Sequence, residues 1–243
     1  MKINFVLLII FCWSNGYGQQ NLFNIPSGDI TPKKKLFFQQ QVNAYSPKQY
    51  ESKSHLVYGL IKNVDIGVNF INLPVTLSKG FPLKQNDNPL NGPLYPALLL
   101  TGQGQFKISE HIRINLGFMA GSNITSRMDR IKPLYKLYGI TNIKVSEHIR
   151  ILVGPYYSNN FLVGNKNNFG ALFGYEIILS KKFYLMGDYI SRRNASSAAV
   201  VGLNYNLTKR IQFCTGFLLA TPQKEIKPGI VFELNILGYD IVH

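Results

Sequence analysis

Ile108-Ser109-Glu110-His111-Ile112-Arg113-Ile114-Asn115-Leu116-Gly117-Phe118-Met119-Ala120 is the stretch from which the fold is read. An apolar residue, a short polar tip and a second apolar residue open a run in which Ile112, Ile114, Leu116, Phe118 and Ala120 alternate with Arg113, Asn115, Gly117 and Met119. A period of two places the two sets on opposite faces of a β-strand. The tip returns at Val145-Ser146-Glu147-His148-Ile149, Leu179-Ser180-Lys181-Lys182-Phe183 and Leu207-Thr208-Lys209-Arg210-Ile211, and more loosely at Ile61-Lys62-Asn63-Val64-Asp65-Ile66. With Ser or Thr as the marker, the intervals are 37, 34 and 28 residues. That spacing suits hairpins with one tight turn and one variable loop.

Working outward, twelve strands are expected near residues 35–43, 54–61, 65–73, 96–107, 111–120, 134–144, 149–158, 168–179, 183–191, 197–207, 211–219 and 228–239. Most have the length of a tilted membrane-crossing strand. The repeated turns fall at one end, and longer connections at 74–95 and 121–133 fall at the other. An even strand count returns both termini to the short-turn end, the asymmetry of outer-membrane barrels. In hydrocarbon every backbone N–H and C=O must be paired, which strands achieve only in a closed sheet. The expected fold class is therefore all-β: a transmembrane antiparallel up-and-down β-barrel. Tyr58, Tyr135, Tyr156, Tyr175, Tyr189, Tyr205 and Tyr239 are candidates for its interfacial aromatic girdles.

Composition agrees. Of 243 residues, 46% are hydrophobic, 13% aromatic and only 16% charged, below the usual quarter for a soluble domain. Ample apolar content excludes a disordered chain, and two cysteines exclude a disulfide scaffold. Met1-Lys2, the apolar run 5–13 and the small polar stretch 14–20 have the three-part form of an export signal, with cleavage expected after Gly18. The apolar run is too short to span as a helix, and bulky Phe11 before Cys12 does not suit lipid attachment. The expected organisation is a signal peptide at 1–18, a periplasmic N-terminal lead at 19–34 and an outer-membrane barrel at 35–243, located in the cell outer membrane. Cys214 then reads as a small hydrophobe in a strand.

Asn24-Ile25-Pro26-Ser27-Gly28-Asp29-Ile30-Thr31-Pro32-Lys33-Lys34-Lys35, followed by Leu36-Phe37-Phe38-Gln39-Gln40-Gln41, Tyr58-Gly59-Leu60 and Asp65-Ile66-Gly67-Val68-Asn69, resembles poorly characterised Gram-negative outer-membrane barrels grouped with transporter-like or phenol-degradation-type proteins. The resemblance implies an outer-membrane location and passage of small molecules, and carries no catalytic residues. The chain lacks an aromatic last residue, ending Gly238-Tyr239-Asp240-Ile241-Val242-His243.

Chemistry-bearing motifs are few. His111 and His148 stand on separate turns, His243 is terminal and His55 is expected at the outer start of a strand. A metal site needs three or four converging ligands, so no metal and no cofactor are expected. Barrel lipases pair a His with a Ser two residues later, and none of the four histidines has Ser or Thr there. No enzyme activity is expected. The net charge of +14 is spread over turns and loops without stacking aromatics, which points to anionic lipid head groups and away from nucleic acid.

The informative residues face the lumen. Lys107, Arg113, Lys144, Arg150 and Glu176 are expected inside near the short-turn end, with Glu233 and Asn235 on the last strand. They would form either an electrostatic constriction selecting small solutes or an internal ion-pair network closing a small barrel. The expected function is a passive channel or transporter for small hydrophobic or anionic solutes. The alternatives are a structural barrel whose outer loops bind a partner, and a lipid-acting barrel enzyme.

Overall fold

The computed structural model describes residues 21–76, 84–164, 167–192, 194–220 and 228–241; the expected signal peptide lies outside them. Twelve strands run β1 Leu36–Ser46, β2 Gln49–Ile61, β3 Val64–Thr76, β4 Ala97–Lys107, β5 Ile112–Asn123, β6 Pro133–Lys144, β7 Ile149–Ser158, β8 Phe169–Ile178, β9 Phe183–Ile190, β10 Ala198–Asn206, β11 Ile211–Leu219 and β12 Gly229–Leu237. Each pairs antiparallel with its neighbours in sequence, and β1 closes on β12 from Phe37 opposite Leu237 to Ala44 opposite Ile230. The result is a closed antiparallel barrel of twelve strands.

The repeated tip is a Ser/Thr turn. Ser109 Oγ accepts the backbone N–H of His111 and Ile112, Ser180 Oγ that of Lys182 and Phe183, and Thr208 Oγ1 that of Arg210 and Ile211. In each, the hydroxyl satisfies donors that the tight reversal would leave unpaired. These turns share one end of the barrel. The connections at the other end are mostly longer and hold 3-10 turns at Pro89–Asn91 and Met128–Arg130 and the single-turn helix α1 at Asn160–Val163.

The first hairpin departs from expectation. The sequence suggests a loop between residues 43 and 54, but β1 and β2 continue to Ser46 and Gln49 with a two-residue turn. The polar residues there do not break the strands because half of them face the interior: Gln41 and Asn43 stand opposite Lys53 and Glu51. On the outward face of the same pair, Gln40 Nε2 donates to Ser52 Oγ and Ser54 Oγ donates to Gln40 Oε1. Outward-facing polar groups thereby satisfy one another.

Elsewhere the outward positions are apolar, with Leu100, Leu116, Phe118, Phe173, Phe217 and Leu234 all exposed. Tyr58, Tyr135 and Tyr189 share this face, and Tyr205 stacks on Phe183 at 4.8 Å between ring centroids. Tyr156 and Tyr239 do not belong to a girdle. Tyr156 shares the inward parity of Arg150 and Leu152 and is 1% exposed, and Tyr239 packs with Phe37, Val57 and Leu237 at the short-turn end.

The interior holds the largest difference. Residues 21–32, read from sequence as part of a lead outside the barrel, lie inside it. Leu22, Phe23 and Ile25 are buried among Leu152, Leu172, Met186, Val200 and Cys214 of the wall. Each apolar side chain so buried contributes about 2 kcal/mol, a gain unavailable to a segment left in water. Gly174 makes the room: a Cβ there would stand 2.5 Å from Leu22 Cδ1 and 2.8 Å from Ile25 Cδ1.

Candidate functional site

The candidate site is the lumen together with the segment seated in it. The chain enters beside β2, where Lys34 N donates to Gly59 O at 2.7 Å and Gly59 N donates to Lys35 O at 3.0 Å. Thr31 N then donates to Asp65 Oδ2 at 2.9 Å. Further in, amide side chains of the wall hold the segment's carbonyls: Gln103 Nε2 to Asp29 O at 3.1 Å, Gln105 Nε2 to Gly28 O at 2.6 Å and Asn142 Nδ2 to Ser27 O at 3.4 Å. A non-strand peptide in a lumen needs such partners, because each unpaired buried carbonyl is costly.

An ionic contact anchors it. Arg150 Nη1 lies 2.7 Å from Asp29 Oδ2 and Arg150 Nη2 lies 3.2 Å from Glu176 Oε1, so one wall cation neutralises a carboxylate of the segment and one of the wall. Higher in the lumen, residues 21–26 fold back on themselves, with Leu22 N donating to Ile25 O at 2.9 Å. The turn presents three successive backbone N–H groups to Asp188. Its Oδ2 accepts from Phe23 at 2.9 Å, Ile25 at 3.2 Å and Asn24, while Asn24 Nδ2 donates to Oδ1 at 3.2 Å. Consecutive N–H groups so arranged form a concave anion-binding nest. Asn21 Nδ2 bonds Gln39 Oε1 at 2.6 Å and approaches His55 Nδ1 at 3.1 Å.

Between this segment and the long-loop end lies a cavity of about 540 Å³. One side is polar, with Gln39, Gln41, Asn43 and Asn69; another is apolar, with Leu162, Ile190, Ala198 and Leu218. Lys53 Nζ donates to Asn24 Oδ1 at 3.1 Å and lies 3.9 Å from Glu51 Oε1.

Among the residues singled out from sequence, Arg150 and Glu176 meet in the ion-pair group. Glu233 and Asn235 are buried on β12, where Asn235 Nδ2 donates to Glu233 Oε1 at 2.9 Å. Lys107, Arg113 and Lys144 share the inward parity but stand at the short-turn rim. There Lys107 Nζ pairs with Glu110 Oε1 at 2.5 Å, and that hydrogen bond holds the Glu110 carboxyl below its ordinary range. The cations therefore do not gather into one ring. His55 is not at a strand start, because β2 begins at Gln49; it points into the lumen, on the face opposite Ser54. Asp29, Asp65, Asp188, Lys53 and Lys136 were not singled out. Asp188 carried a usable signal, as the lone carboxylate on the face that Tyr184, Met186 and Ile190 share.

Comparison with solved structures sets this geometry among relatives in shape. The NanC porin superposes with a TM-score of 0.55 at 9% identity, over 84% of this chain and 99% of that one. The KdgM porin, solved in complex with disordered oligogalacturonate, does so at 0.50 and 8% identity, over 84% and 98%. Outer membrane phospholipase A from Escherichia coli gives 0.50 at 12% identity, over 92% and 95%. The fold is that of bacterial outer-membrane barrels. At these identities the likeness extends to fold alone. The sequence matches no known family profile and no curated protein.

Proposed function

We propose that the chain is an outer-membrane channel for small solutes, of the transporter-like kind, closed by its own N-terminal segment from the periplasmic side. The observation that carries this reading is what fills the lumen. Residues 21–32 occupy the lumen among the inward wall side chains, held to Gln103, Gln105 and Asn142 by side-chain amides. Without the segment those amides would line a polar passage continuous with the outer cavity, as the wall of a solute pore requires. The likeness to porins supports the same reading.

Likeness to a phospholipase favours a lipid-acting enzyme as the second reading. His55 points into the lumen, His111 and His148 sit on short turns, and none has a Ser or Thr two residues later, so the channel is preferred and no catalytic role is assigned.

Deleting residues 21–32 tests the proposal. The refolded deletion variant should show a heat-dependent gel shift and steady conductance in a planar bilayer, where the full chain conducts rarely. A deletion variant that shifts on the gel but stays silent would overturn the reading. Should the deletion fail to fold, Gly174→Leu puts a side chain into the socket of Leu22 and Ile25. It should conduct in bursts, and silence in a folded Gly174→Leu protein counts equally against a plugged channel.

A further inference from the structure

The outer cavity borders a cation that, among the described residues, forms no ion pair. Lys136 of β6 is only 7% exposed and borders the cavity. Its Nζ lies 4.7 Å from the centroid of the Tyr156 ring. Among the described residues it has no hydrogen-bond acceptor and no paired carboxylate. The charges near enough to act on it are Lys53 and Asp188. Asp188 is occupied by the N–H groups of Phe23, Asn24 and Ile25. Glu51 faces Lys53 and accepts from Tyr45 Oη at 3.0 Å. With Asp188 turned to three backbone N–H groups and Lys53 adding a like charge, the Lys136 ammonium is incompletely compensated, and an anion delivered to it would gain charge-assisted hydrogen bonds at low dielectric.

The rest of the cavity indicates what that anion carries. About 540 Å³ is the size of a small-molecule site. The apolar wall of Leu162, Ile190, Ala198 and Leu218 would bury an aromatic or aliphatic body, and the amides of Gln39, Gln41, Asn43 and Asn69 line the polar side. We propose that the outer cavity is a binding site for a small organic carboxylate with an apolar body, its carboxylate on Lys136 Nζ. The site deepens the channel reading, on which it rests for the solute's onward route: solute would be held above the N-terminal segment before passage.

Titration of the full chain, refolded in detergent, with benzoate, its neutral isostere benzamide and acetate tests this by calorimetry. Benzoate should bind saturably and about tenfold more tightly than either comparator, the factor expected for one added ionic or apolar contact. Lys136→Gln should lose that preference, and Lys136→Arg should keep it. Equal binding of benzoate and benzamide by the full chain overturns the cationic site without requiring any variant. Acetate binding as tightly as benzoate overturns the apolar half. A folded Lys136→Gln protein that retains the preference overturns the assignment to Lys136. The channel reading fails separately: a silent deletion variant with intact benzoate binding removes the channel and keeps the site. A conducting deletion variant with no benzoate binding by the full chain does the reverse.

Discussion

Asp188→Ala will unseat the N-terminal segment and turn a barrel that conducts rarely into one that conducts often. The carboxylate accepts from the backbone N–H of Phe23, Asn24 and Ile25 and from the Asn24 side chain. Hydrogen bonds to a charged group contribute about 1.5–3 kcal/mol each, and three backbone donors, those of Phe23 and Ile25 buried, would lose their acceptor together. Allowing for partial rescue by water, about 4 kcal/mol of seating energy is lost, roughly a thousandfold in the seated-to-unseated ratio. Asp188→Asn keeps an acceptor oxygen and loses only the charge, so it should fall between alanine and the natural residue. Ser27, fully buried beneath the turn, supplies an independent readout. A Ser27→Cys reporter in a Cys214→Ser background should react with a membrane-impermeant maleimide far faster when Asp188 is alanine. Unchanged labelling together with unchanged conductance would show that Asp188 does not hold the segment.

The second large effect concerns Arg150. Arg150→Met removes the cation between Asp29 and Glu176, whose side chains are 6% and 12% exposed, and leaves two buried carboxylates facing each other. Breaking a buried ionic group by deleting one partner destabilises by about 3–5 kcal/mol, whereas replacing the whole group by neutral residues is often close to neutral. The folded band of Arg150→Met should therefore collapse at a clearly lower temperature on a heat-modifiability gel. The triple change Arg150→Met, Asp29→Asn, Glu176→Gln should recover most of the loss. If single and triple variants melt together at the natural temperature, the ion pairs do not support the seated segment. If both melt equally low, Arg150 acts by packing and not by charge.

Periodicity made the wall legible. Alternation from Ile112 to Ala120, together with the recurring Ser/Thr turn, carries the strand order, and the inward parity of Arg113, Arg150 and Glu176 follows from counting by two. Where the count was uncertain, polarity misled. Glu51 and Lys53, in the stretch 44–53 left between two expected strands, resemble a loop when read singly, but they stand opposite Asn43 and Gln41 on the inner face of two long strands. Tyr156 resembles a girdle residue by type and is an interior one by parity.

Alternation is a local property, so the succession of strands, the turn chemistry and the apolar outer face are legible in the residues alone. The sequence holds no comparable sign of what occupies the lumen. Residues 21–32 form no regular element, and their partners Asp65, Gln103, Arg150 and Asp188 lie 34 to 165 residues away. Only closure of the barrel brings those side chains around one segment. Burial of Leu22, Phe23 and Ile25 and satisfaction of the surrounding backbone then decide that it lies inside.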